Sequence, residues 1–386
     1  MIKFPLRTAL TAVLLGTTPL LSAMVFTAPA QGATVSAHVG AALKAAQTLA
    51  AAGNYRAAMA KINEAEAAPG KTSDDSAVIN QMKQYVGIKS GDAAIGGVAG
   101  AKAKFANDYN AGRFRDVIAS SDTLRKHNAL DNHAMQIIAQ AYFRAGDHAG
   151  CARYIRNNFS APNDGILELQ ARCAYENGDE ATQRQALETL VSRSGKAEHW
   201  NSLLRLTERS RGLSDRNALD INRLRLMSGN ITTRDDYTLL AQLALQLGNA
   251  AEARSVIEKG QAAKVLSGER TGRLLNLAKA QAAAKAASLP KDLAAARAHP
   301  QGDALIKIGE TMVGQGKAKE AIAVIQQGLK KPLKDPSQGQ TRLGYAYLAA
   351  GQKANALKTF NSIKAPGNDA MIARLWALGS GFKPGV

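Results

Sequence analysis

Strands have little to be built from in this chain. Over its 386 residues, β-branched side chains almost never alternate with polar ones over an extended run, which argues against a sheet-based fold. Aromatics are scarce at 5%, whereas alanine, leucine and glutamine are plentiful, a composition that favours helix. Cysteine is confined to Cys151 and Cys173, with no C-x-x-C, so a thioredoxin-like redox centre has no basis. No H-E-x-x-H, G-x-S-x-G or S-x-x-K stands in a context that would make it catalytic. The six histidines show no metal-ligand spacing; His127 and His133 flank a turn at Leu130-Asp131 and read as loop residues. The glycine-rich GGVAG at Gly96 to Gly100 lacks the Lys-Ser/Thr of a phosphate loop and reads as a helix joint. No catalytic, cofactor-binding or metal-ligating residue is assigned, and a non-enzymatic protein is expected.

The first 33 residues stand apart. A basic start at Lys3 and Arg7, a short apolar run broken by Gly16 and Pro19, and a small-residue exit at Ala28-Pro29-Ala30 have the layout of a secretory signal peptide. No cysteine lies near that exit, so a lipoprotein is not expected, and no later run is apolar enough to span a bilayer. The expectation is an exported protein, soluble after cleavage and placed in a bacterial periplasm.

Charge divides the remainder. Residues 34–260 are nearly balanced, with 28 basic and 24 acidic residues, whereas residues 261–386 hold 19 basic against 7 acidic. Such a third steers toward acidic partners: an anionic envelope component, lipid headgroup or acidic polysaccharide, is one reading, and a solvated face that maintains solubility is the other. Nucleic acid is not expected of an exported chain. The interleaved charges from Arg205 to Arg225, with Glu208, Asp215 and Asp220, read as local ion pairs on a solvated face.

What is present most clearly is repetition. IGETMVGQGKAKEAIAVI and LGYAYLAAGQKANALKTF superpose with a 35-residue offset: Gly309 on Gly344, Gly316 on Gly351, Ala321 on Ala356, Ile325 on Phe360. The frame recurs around Gly53, Gly146, Gly178 and Gly248, and more weakly around Gly112. Residues 73–110 and 268–300 keep helical periodicity without the signature. A small residue in mid-helix permits close helix approach, and a turn glycine supplies a left-handed cap.

With Leu343, Gly344, Tyr347, Ala356, Phe360 and Pro366, the last copy resembles the tetratricopeptide-repeat (TPR) family, and residues 200–245 also resemble exported repeat proteins of proteobacteria. The resemblance implies an all-α fold: a right-handed superhelical solenoid of nine or ten antiparallel helix hairpins with a concave inner face and a C-terminal capping helix carrying Trp376. It implies repeats over 34–260, continuing as a basic set over 261–386. In the repeat frame Cys151 and Cys173 fall on helices that pack together. A disulfide there would close a 22-residue loop, worth about 3 kcal/mol in the chain-entropy model, and two buried thiols are the alternative.

Partner binding in this family uses the first helix of each repeat. Carried over, those positions are Gln140, Arg144, Arg172, Glu176, Gln242, Gln246, Glu310 and Tyr345. The positions of the family's carboxylate clamp hold Gln136, Glu168, Thr238, Ile306 and Thr341, so binding of a C-terminal carboxylate is not expected. A protein or peptide partner is expected on the concave face.

Overall fold

The computed structural model describes residues 35–364 and 366–381. The segment read as an export signal lies outside the described residues. Nineteen helices and no strand make up those residues, and none of the helices is long and apolar enough to cross a membrane. The chain divides into two compact units, one up to Ser160 and one from Ala161 onward. The charge balance changes inside a helix of the second unit, so it does not mark a boundary of contact.

The first unit contains α1 (Ala37–Ala51), α2 (Tyr55–Ala67), α3 (Ser73–Ser90), α4 (Ala93–Asn110), α5 (Phe114–Lys126), α6 (Asn132–Arg144) and α7 (His148–Asn158). Buried Val39, Leu43, Ala46 and Ala50 recur on one face of α1 and meet Ala58 and Ile62 of α2 and Ile79 and Val86 of α3. Asp75 ties the start of α3 to the start of the described chain. It completes a capping box with Thr72 and accepts from the Ser36 amide (2.8 Å) and hydroxyl (2.8 Å). The backbone hydrogen bond from Thr72, with those from Ser36, outweighs desolvation and lowers its pKa to about 2. The expected joint at GGVAG is a kink: Gly97 has φ 53 and ψ −129 inside α4.

The second unit contains α8 (Asp164–Glu176), α9 (Glu180–Ser194), α10 (Ala197–Glu208), α11 (Asp215–Met227), α12 (Arg234–Gln246), α13 (Ala250–Ala262), α14 (Glu269–Ala298), α15 (Asp303–Gly314), α16 (Ala318–Leu329), α17 (Pro336–Ala349), α18 (Lys353–Ser362) and α19 (Asn368–Ser380). The repeat frame is realised as expected. Gly316 and Gly351 turn the chain with φ of 78 and 75. A Cβ at Gly309 would fall 2.3 Å from Ile325 Cγ1, and one at Gly344 2.4 Å from Phe360 Cε1, so each hairpin closes on its own small residue. Residues 268–300 are the exception: most of them form one 30-residue helix, Glu269–Ala298, that runs through Pro290. No glycine interrupts 273–301 to make a turn.

This unit also closes on itself. The capping helix α19 packs against α18 and α17 and, across the unit, against α11 and α9. Ile372, Leu375 and Trp376 share one core with Leu190, Trp200, Leu203, Ile221, Leu224 and Phe360. Each such fully buried Leu or Ile contributes about 1.5–3 kcal/mol. Both Cys151, in α7, and Cys173, in α8, are disulfide-bonded, and no described cysteine is free.

Candidate functional site

Most of the expected partner-facing residues are on open helix faces. Gln140 and Arg144 stand one turn apart on α6. The Tyr109 hydroxyl donates to Gln140 Oε1 (3.3 Å), and the exposed Arg144 guanidinium lies 5.7 Å from the Tyr109 ring centroid and 5.4 Å from that of Phe114. Such an exposed cation–π contact is worth about 0.5–1 kcal/mol and holds the arginine against the two rings. Arg172 and Glu176 are exposed one turn apart on α8. Gln246 is engaged at its rim by Asp215, to which it donates (2.8 Å).

Gln242 lies in a groove. On α12, Asp235, Thr238 and Gln242 follow helical spacing along one face. On α14, Arg270, Arg273, Leu274 and Leu277 do the same, and Leu266 closes the base of a space of about 440 Å³. Arg234 donates to the Ser267 carbonyl (2.8 Å), which pins the mouth. Arg273 pairs with Glu269, while among the described residues Arg270 has no hydrogen bond or ion pair. Leu277 is half-exposed. The groove therefore offers a free guanidinium beside an uncovered apolar side chain. The first unit has an apolar counterpart of about 390 Å³, lined by Ala99, Ala103, Phe105, Ala134 and Ile137, with Lys102 and His133 at its rim.

Two expected residues are elsewhere. Glu310 is buried and Tyr345 half-buried, and they meet around Arg223. The Arg223 guanidinium lies 4.5 Å from the Tyr345 ring centroid, and the Tyr345 ring also packs on Trp376 (5.3 Å). Side chains of α11 cover these two residues: Arg216 and Arg223 both reach Glu310, and Arg223 lies over the Tyr345 ring. The Asp220–Arg223 pair read as solvated is likewise internal: it is real, at 3.1 Å, and buried.

Around these residues three arginines meet three carboxylates. Arg342 donates from Nη1 to Asp220 Oδ1 (2.8 Å) and Glu310 Oε1 (2.9 Å), and from Nη2 to Asp220 Oδ2. Arg223 donates to both oxygens of Glu252 (2.7 and 2.6 Å) and to Glu310 (2.9 Å). Arg216 reaches Glu310 Oε2 at 3.3 Å. Burial alone would raise the Glu310 pKa, but Arg342, Arg223 and Arg216 hold it at about 2. Burial alone would lower the arginines, and their carboxylates raise both Arg223 and Arg342 instead. Burial also raises the Tyr345 phenol. These pairs, bidentate for Arg223–Glu252 and Arg342–Asp220, make a brace between α11, α13, α15 and α17. Asp220, Glu252 and Arg342 were not read as part of any site. Arg342 is buried between buried Thr341 and Leu343, and no local sequence pattern sets these three charges apart from exposed ones.

A smaller polar chain joins Ser194, His199 and Glu168. His199 Nδ1 lies 3.0 Å from Ser194 Oγ and Nε2 lies 3.1 Å from Glu168 Oε1. The Ser194 hydroxyl is also 3.0 Å from the Leu190 carbonyl of its own helix, so its proton has an intrahelical acceptor. The arrangement links α8, the end of α9 and α10. Among the described residues no group of three or more His, Cys, Asp or Glu could hold a metal ion.

No family model matches the chain, and no curated protein matches it. Among solved structures it is similar to one of Naa15/Naa10 bound to HypK-THB, at 14% identity and TM-score 0.32, covering 84% of this chain and 52% of that one. A tetratricopeptide repeat protein from Parabacteroides merdae ATCC 43184 matches at 12% identity and TM-score 0.19, covering 89% and 99%. The P58(IPK) TPR domain matches at 13% identity and TM-score 0.23, covering 89% and 98%. The chain thus spans about half the length of the first of these. Its own hairpins, with their 35-residue register, mid-helix glycines and left-handed turns, make it a TPR-like helical array.

Proposed function

We propose that this chain is an exported, non-enzymatic scaffold that binds a protein or peptide on the exposed faces of its first helices, in the assembly or regulation of a cell-envelope complex. The observation that carries the reading is the groove between α12 and α14, where Gln242, an unengaged Arg270 and a half-exposed Leu277 face one space. A rigid helical array lowers the ordering cost of a partner that lies along it. The test is affinity capture from envelope extract with the chain carrying Arg270→Glu and Leu277→Ser, beside a control with Arg153→Glu on α7. A partner lost from the groove variant and retained by the control is expected. An unchanged set of captured proteins overturns the assignment of this groove.

A second reading follows from 19 basic against 7 acidic residues beyond position 260: attachment to an anionic envelope component, lipid headgroup or acidic polysaccharide. Exposed contacts of that kind are screened within about 8 Å at physiological salt. Binding that persists unchanged at high salt excludes it.

A further inference from the structure

Two helices of the second unit, α8 and α10, present a face outside the α12–α14 groove. Toward their starts His199 Nε2 lies 3.1 Å from Glu168 Oε1. Toward their ends the Arg209 guanidinium lies 5.8 Å from the Tyr175 ring centroid. The two helices therefore run side by side in one direction. Arg172 stands one turn before Tyr175, and Arg205 one turn before Arg209, so all four share this face, and all four are exposed. Tyr175, at 53%, is the most exposed large hydrophobic side chain among the described residues.

The charge of this face is not neutralised from within. On α8, Arg172 and Glu176 balance each other. On α10, Arg205 and Glu208 have the spacing of an ion pair, but Glu208 is taken by Arg225 of α11 (2.7 Å). Among the described residues Arg205 has no hydrogen bond or ion pair, and Arg209 has only its contact with the Tyr175 ring. Glu198, further toward the start of α10, lies 3.8 Å from Lys196. An excess of two positive charges thus stands on α10 beside an uncovered aromatic ring, and arginine and tyrosine are the residue types that anchor protein interfaces. Guanidinium forks match carboxylates in two-bond geometry. A uniform polyanion would also set negative charge against Glu176, whereas a protein segment can place its acids on α10 alone. Exposed ion pairs contribute little by themselves, and burial of the Tyr175 ring supplies the apolar area that desolvates them. We infer that this face binds an acidic protein segment, with carboxylates on Arg205 and Arg209 and an apolar side chain over Tyr175. The assignment rests on the scaffold reading and gives the partner's chemistry at a second place.

The test is selection from a displayed library of random peptides on the full chain, with Arg205→Glu plus Arg209→Glu as the counter-target. Titration of the selected peptides by fluorescence anisotropy follows. Enrichment of peptides carrying paired Asp or Glu is expected. The double variant should bind them at least about tenfold more weakly with an unmoved thermal midpoint, because both arginines are exposed. Replacing the paired acids of a peptide by lysine should restore its binding to that variant, and Tyr175→Ala should weaken the original peptides. Hyaluronate, or vesicles of phosphatidylglycerol and phosphatidylcholine, should not displace them. No enrichment, no excess of acids, equal binding by the double variant, or displacement by hyaluronate or the vesicles overturns the proposal. Failure of this selection while Arg270→Glu with Leu277→Ser still loses a partner sinks this face alone; the opposite pair of results sinks the groove alone.

Discussion

Gly344 and Gly351 are seven residues apart and are glycines for different reasons. At Gly344 a methyl group would strike the Phe360 ring at 2.4 Å, and that ring is itself stacked on Trp376 at 6.3 Å. The ring has nowhere to retreat, so Gly344→Ala is expected to lower stability by about 1–3 kcal/mol as an overpacked core. Adding Phe360→Leu should return part of the loss. At Gly351 there is open space within 4 Å of a Cβ, but φ is 75, so Gly351→Ala costs about 1–2 kcal/mol through the backbone, and Phe360→Leu should not relieve it. Urea unfolding of the two single and two double variants separates the mechanisms. Both glycines were legible as a spacing rule. Glu310 and Tyr345 were legible as facing inward, but a repeat frame does not say what else lies there. Their burial depends on α11, whose Arg223 lies 87 positions before Glu310 and further still before Tyr345, which no local pattern reports.

Among the helices, α14 departs furthest from the hairpin plan. Its 30 residues span about 45 Å and include Pro290, which cannot donate a backbone hydrogen bond to the preceding turn. The stretch Lys279 to Ala287 is almost entirely exposed, so packing contributes little there. Alanine, lysine and glutamine, all strong helix formers, sustain it instead. Ala283→Gly is therefore expected to cost about 1 kcal/mol, read as faster amide hydrogen exchange confined to the middle of α14. Helical periodicity over 268–300 was legible, and the absence of glycine between 273 and 301 explains why no turn divides it. By contrast, the kink within α4 was visible as GGVAG because glycine is the residue that tolerates φ 53.

At the scale of the whole second unit, stability rests on a core that is partly ionic. Both tryptophans, Trp200 and Trp376, are buried in this unit, so intrinsic fluorescence follows its unfolding. Glu310 has its pKa depressed from the ordinary 4.5 to about 2. Its contribution is therefore fully present above pH 4.5 and is lost as pH falls from there toward 2. The fluorescence-monitored midpoint should drop through that window, and Glu310→Gln should flatten the dependence. At neutral pH the same substitution should cost about 3–5 kcal/mol, because Arg223 and Arg342 lose a buried counter-charge.

The reach of these contacts also sets an order of assembly. Asn217 of α11 donates to Asp369 of α19 across 152 positions, and Asp220 waits 122 positions for Arg342. Hairpins of neighbouring helices form early because their contacts are local, and chains emerge from the ribosome N-terminus first. Asp220, Arg223 and Glu252 are thus synthesised long before the residue that neutralises the set, and the inner surface of a nascent second unit stays hydrated until the last hairpin arrives. Expulsion of water from the ionic core is the closing step of its folding, and a chain stopped before Arg342 never reaches it.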